Sequence, residues 1–132
     1  MSRASPRSAE AEPTHFVNVD LDLAGSVAPL AALIAALDRR MLCLHAEVVR
    51  GRRAAHYESR RLTRTLEGTL RALLTVIERL PEDALAGWRA ARARDFNVGI
   101  QAGRLPKVCE YAISPATVAR VAALGGRLVF TV

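Results

Sequence analysis

The stretch THFVNVDLDLAG, residues 14–25, sets Asn18, Asp20 and Asp22 at every second position. In a strand, side chains two residues apart emerge on the same face. An amide and two carboxylates would therefore form one polar row. His45 and Glu47 repeat that spacing, as do Asp95 and Asn97, with Gln101 four residues beyond Asn97. Glu110 sits in a further run that alternates like a strand. Groups of these types can bind a hard cation through carboxylate oxygens, or zinc where an imidazole joins them. They can also move protons, or pair with a basic surface.

The first two chemistries lack support from spacing. Asp-x-Asp and His-x-Glu are short, common patterns, and the chain has no HExxH and no EF-hand loop. It has no P-loop, no GxGxxG and no nucleophile elbow either. Cys43 and His45 would share a strand face, but nothing near them in sequence activates a thiol. His15 and His56 read as surface groups beside a terminal segment and a turn. No catalytic residue, metal ligand or cofactor is assigned, and carboxylates on an open sheet lack the dry setting acid–base catalysis needs. The third use remains. The plain account of Asn18, Asp20, Asp22, His45, Glu47, Asp95, Asn97, Gln101 and Glu110 is a solvated face of an antiparallel sheet. Asp and Asn are poor strand formers, however, and neighbouring like charges oppose sheet pairing. Their choice points to a basic partner, a cationic ligand, or the protein's own arginines lying over the sheet.

Charge complicates this picture. The chain of 132 residues has a formal net charge of +6 and a pI of about 10.6. Eighteen of its 19 basic residues are arginine, spread along the sequence rather than gathered in a block. Such a skew is what a GC-rich coding sequence produces without selection for phosphate binding. A nucleic-acid module acting through Arg50, Arg52, Arg53, Arg60, Arg61 and Arg64 is the alternative function. With aromatics at 5%, it would have few rings on which to stack bases.

Hydrophobic residues make up 51% of the chain, enough for an aliphatic core at this length. No run reaches the roughly 18 apolar residues of a membrane span, and the first 13 residues lack a signal-peptide core. A cytoplasmic location is expected, with no membrane partner. Cys43 and Cys109 are expected to be free, small hydrophobic residues.

These residues need a frame. Residues 1–13 are small, polar and proline-containing, and read as a flexible tail before a single domain over 14–132. A first strand with Val17, Val19, Leu21 and Leu23 inward leads to a helix carrying Leu30, Leu33, Ile34 and Leu37 on one face. Leu42, Leu44, Ala46 and Val48 would point inward from a second strand. RGRR turns the chain into AAHYES, whose weaker pattern suits an edge. A helix from Thr63 to Leu80, with Thr63 as its cap, is followed by one opened by Pro81 and anchored by Leu85 and Trp88. RDFNVGIQAG and KVCEYAI read as two more strands. Ser114-Pro115 begins a helix buried through Val118, Val121 and Ala122; Gly125-Gly126 ends it, and RLVFTV is the last strand. The order β-α-β-β-α-α-β-β-α-β predicts an α+β, two-layer sandwich. Its mixed, mainly antiparallel sheet would have about six strands, with helices on one face.

FVNVDLDL, RDFNVGIQAG and SPATVARVAALGGRLVFTV together resemble small uncharacterised bacterial α+β domains that close on a helix and a strand. Some of those domains are thought to be immunity proteins beside bacterial toxins. The resemblance spans about 115 residues, although the tyrosine that ends the closing pattern is missing here. It implies a non-catalytic, immunity-type inhibitor with a protein partner, such as a basic toxin, and carries no catalytic residue. A homodimer that buries the same face is the other partner this pattern allows.

Overall fold

The computed structural model describes residues 13–61 and 63–132. Its elements run β1 (His15–Ser26), α1 (Val27–Arg40), β2 (Met41–Val49), β3 (Arg52–Ser59), α2 (Leu66–Glu78), α3 (Glu82–Ala90), β4 (Ala93–Gln101), α4 (Pro115–Ala123) and β5 (Arg127–Thr131). The fold is α+β, with one mixed sheet in the order β2-β3-β1-β4-β5. The first three contacts are antiparallel and β4–β5 is parallel. No helix of the described residues is long and apolar enough to cross a membrane. The tail expected over 1–13 lies outside the described residues except for Pro13, which forms an isolated bridge to Leu105.

β1 lies at the centre because its alternation is the strongest. Val19, Leu21 and Leu23 are fully or almost fully buried, and they sit in register with Val98, Phe96 and Arg94 of β4. Leu30, Leu33 and Leu37 of α1 and Leu70, Leu73, Leu74 and Ile77 of α2 complete the same core. Full burial of each such side chain contributes about 1.5–3 kcal/mol. Trp88 packs its ring 6.2 Å from that of Phe96, and its indole N–H donates to the Leu124 carbonyl at 2.8 Å. Gly87 marks the closest approach of α1 and α3. A Cβ there would lie 2.9 Å from the Pro29 carbonyl oxygen and 3.0 Å from Leu33 Cβ.

Local chemistry sets the helix ends. Thr65, not Thr63, caps α2, its hydroxyl accepting from the Gly68 amide at 3.0 Å. Ser114 caps α4 as expected, accepting from the Thr117 amide at 3.2 Å, with Pro115 in the first turn. Thr117 and Val121 are the buried residues of α4, while Val118 is exposed. Gly125, at φ +67°, ends that helix in the left-handed conformation open to glycine.

The sheet has five strands rather than about six, because KVCEYAI is not one of them. Residues 102–114 contain no helix or strand. β4 already has β1 on one side and β5 on the other, so no pairing edge beside it remains for the chain that follows. Glu110 is exposed in that segment and belongs to no strand.

Two bulges redirect side chains that strict alternation would bury. The β1–β4 register shifts between Phe16 and Asn18, so Phe16 packs against the core and Val17 is 59% exposed. The β2–β3 register shifts between Cys43 and His45. Cys43 then stands opposite buried Tyr57, and His45 opposite His56, so the two do not share a face. β2 is an edge strand, and only Met41 of it is buried. Leu42, Leu44, Ala46 and Val48, expected inward, are exposed. β3 is interior instead: small Ala55 and Tyr57 fill its core positions completely. Cys43 and Cys109 are free, and both are exposed rather than packed as small apolar residues.

Candidate functional site

Eight of the nine residues singled out above lie on the strands of one sheet. Asn18, Asp20 and Asp22 come from β1; His45 and Glu47 from β2; Asp95, Asn97 and Gln101 from β4. Directly opposed residues of neighbouring strands share a face, and the register ties these rows together. Asp20 stands opposite Asn97, and Asp22 opposite Asp95. On the other side of β1, Asp20 stands opposite Glu58 and Asp22 opposite His56. His45 in turn faces His56, their rings 5.8 Å apart. Glu110 is the exception, for the reason given above.

Glu58 and His56 are members that the sequence pattern does not single out. β3 is flanked by turn arginines and carries alanine at its small positions, which hides the alternation. The signal that could have found them is parity: Glu58 and His56 are two residues apart, just as Asp20 and Asp22 are.

The groups are linked into a network. The Asn18 amide donates to the Glu58 carboxylate at 2.7 Å. His56 Nδ1 lies 2.7 Å from Asp22 Oδ1, and the Asn97 amide donates to Asp22 Oδ2 at 3.3 Å. Thr131 of β5 donates to Asn97 Oδ1 at 2.8 Å. Arg127 of β5 grips Asp95 in a bidentate pair, Nε at 3.0 Å and Nη2 at 2.7 Å. His45 and Glu47 form a looser, exposed pair at 3.8 Å. One carboxylate of the row, Asp95, is thus answered by the protein's own arginine, one of the outcomes its residue types allow.

Asp20 is treated differently. Among the described residues, no ion pair and no side-chain hydrogen bond reaches it. Burial raises its pKa first, the neighbouring Asp22 and Glu58 carboxylates raise it further, and His56 lowers it. The centre of the row is therefore its least compensated carboxyl.

The geometry limits the chemistry. An Asp–His pair like Asp22–His56 can orient a general base. Among the described residues, no hydroxyl or thiol hydrogen-bonds to the His56 ring, so this pair lacks a nucleophile. No three His, Cys, Asp or Glu side chains among the described residues are grouped as a metal ion would need.

The arginines of the alternative function divide into two sets. Arg50, Arg52 and Arg53 lie at the β2–β3 turn, whereas Arg60, Arg61 and Arg64 lie beyond the other end of β3. The length of β3, roughly 23 Å at about 3.3 Å per residue, separates them. Comparison with family models, with curated proteins and with solved structures finds no match.

Proposed function

We propose that this chain is a non-catalytic, protein-binding domain of the immunity-inhibitor kind. In this reading the helices form one layer behind the sheet, and the polar face docks a cationic surface of a partner protein. The observation that carries it is Asp20, flanked by Asp22 and Glu58 with no ion-pair partner among the described residues. Around it, Glu58, Asp22 and Asp95 bring acidic groups of three strands together. A partner's arginine or lysine placed over Asp20 would supply the missing counter-charge, and the repulsion inside the row would become attraction across an interface. In a chain of net charge +6, such a row selects for basic partners locally and against them elsewhere.

Binding to the products of the genes adjacent to this one tests the proposal, with Asp20→Lys and Asp20→Lys/Asp22→Lys measured beside the unaltered chain. The expected result is saturable binding of one basic product. Charge reversal should weaken it at least about a hundredfold, in the range seen for close interfacial charge pairs, with circular dichroism showing both variants still folded. Full-strength binding by the reversed sheet rejects the proposal, as does failure of every adjacent product to bind.

A further inference from the structure

On another part of the molecule, residues from four regions of the chain enclose a cleft of about 540 Å³. Arg40 is the last residue of α1, Arg60 and Arg61 follow β3, Arg71 comes from α2 and Arg120 from α4. Ser59, Thr63 and Thr75 add hydroxyls, and Ala72 and Val76 are the apolar lining. The volume falls within the ~300–1,000 Å³ of small-molecule sites.

The five guanidinium groups are not equivalent. Arg120 is neutralised: its Nε and Nη2 meet the two carboxylate oxygens of Glu78 at 2.9 and 2.7 Å, and Nη2 also reaches Thr75 Oγ1 at 3.3 Å. Arg40 donates one N–H to the Ala36 carbonyl at 3.0 Å, and Arg60 donates one to the Asp38 carbonyl at 3.3 Å. Each contact steadies a guanidinium while leaving four of its five N–H donors for something else. Among the described residues, Arg40, Arg60, Arg61 and Arg71 form no ion pair with a carboxylate. The nearby Glu67 feels Arg71 but is held by Ser114 and Thr117. Four exposed guanidinium groups without a carboxylate partner among the described residues therefore border one concavity.

We infer that this cleft binds a small molecule carrying at least two phosphate groups. A phosphate monoester carries about 1.5 to 2 negative charges near neutrality, so two of them match four guanidinium groups. Planar forks of N–H donors fit phosphate oxygens two at a time, and the hydroxyls of Ser59 and Thr75 suit the remaining acceptors. Carboxylates would need four separate groups to supply the same charge in the same space. Ala72, Val76 and the aliphatic stems of the arginines also give the cleft apolar wall, which an organic part of the ligand can cover. This site is separate from the polar sheet face, and the two stand or fall independently.

Titration calorimetry of the whole chain with inorganic pyrophosphate and with ATP at low salt tests the inference. The expected result is one site per chain for both ligands, weakening as salt rises, together with a raised melting temperature of the unaltered protein. Arg61→Ala and Arg71→Ala should each weaken binding about tenfold, the loss of one charge-assisted contact. Arg50→Ala and Arg52→Ala, at the far end of β3, should leave it unchanged. Absence of saturable binding and of any melting shift with either ligand overturns the inference without recourse to variants. So does equal weakening by Arg50→Ala and Arg52→Ala, the mark of diffuse attraction. Tighter binding of single-stranded DNA that depends on both arginine sets would likewise overturn it, in favour of a nucleic-acid surface.

Discussion

Asp22 of β1 stands directly opposite Asp95 of β4, and the two carboxylates are answered by different partners from opposite sides, the His56 ring at 2.7 Å and the Arg127 guanidinium at 2.7 Å. The sheet tolerates an acid–acid pair at its centre because β3 and β5 each bring a base to it. The next pair along, Asp20 and Glu58, has no such arrangement, since Glu58 is held by a neutral amide.

Asp20→Asn is expected to raise the melting temperature at pH 7, because it keeps the shape and removes one of two opposed charges. Relief of such a pair is worth up to about 1 kcal/mol. The pH dependence follows from the raised pKa of Asp20. The folded state binds this proton more tightly than the unfolded chain, so ionised Asp20 destabilises the fold. That penalty is absent below the unfolded value near 3.8 and grows as pH rises through the higher folded value. Asp20→Asn should erase this part of the stability profile. An unchanged profile in chemical denaturation would show that Asp20 is already compensated.

Glu67 titrates in the opposite sense. Its carboxylate accepts from the Ser114 amide at 2.8 Å, the Ser114 hydroxyl at 2.8 Å and the Thr117 hydroxyl at 2.5 Å, tying the start of α2 to the start of α4. The Thr117 contact is the main cause of its lowered pKa, followed by the two from Ser114. This contribution is present above the unfolded value near 4.5 and is lost as pH falls through the lower folded value. Glu67→Gln should lower the melting temperature at pH 7 and have little effect in strong acid. Equal destabilisation at both pH values would mean that the contacts act by shape alone.

Gly87→Ala is expected to destabilise the protein by about 1–3 kcal/mol, the usual effect of overpacking. The new methyl would meet the Pro29 carbonyl oxygen at 2.9 Å, a backbone atom that cannot swing aside. Gly51→Ala offers a contrast: open space surrounds that position, and only its φ of +77° resists substitution. Denaturant midpoints of the two variants separate a crowding cost from a backbone cost, and a neutral Gly87→Ala would mean α1 and α3 part easily.

Leu44→Lys and Val48→Lys on β2 should change stability by less than about 0.5 kcal/mol, because both side chains are already exposed. A lysine at Leu21, which is fully buried, should prevent folding. A large loss from Val48→Lys would mean that β2 is covered in solution.

How much of this was legible beforehand depends on what each feature rests on. The row Asn18-Asp20-Asp22 and the core row Val19-Leu21-Leu23 follow from period-two alternation, and the structure keeps both. The Ser114-Pro115 helix start is equally local, since a cap and a first-turn proline need only their neighbours. Bulges are different: one residue more or less between Phe16 and Asn18 is settled by what β4 offers opposite, so alternation alone puts Val17 on the wrong face. Ala54 and Ala55 carry almost no hydrophobic signal, so the pattern of β3 suggests an edge, yet small residues suit an interior strand under α1. The place of Glu58 depends on pairing register, and the arginine cleft on four segments meeting, neither of which any short window of residues contains. KVCEYAI alternates well enough to pair, but the hairpin position beside β4 that its sequence suggests is occupied by β5.

The central position of β1 also governs the order in which the molecule can assemble. Its hydrogen-bonding partner on one side, β3, ends at Ser59, so that half of the sheet can close early during synthesis. Its partner on the other side, β4, ends at Gln101, and Asn97 reaches Asp22 from 75 positions away. Until that distant segment arrives, the nascent chain holds a half-built sheet with an exposed apolar flank beside Leu21. Closing so wide a loop is entropically slow, and the slow step in folding is expected to be the docking of β4 rather than the formation of any helix.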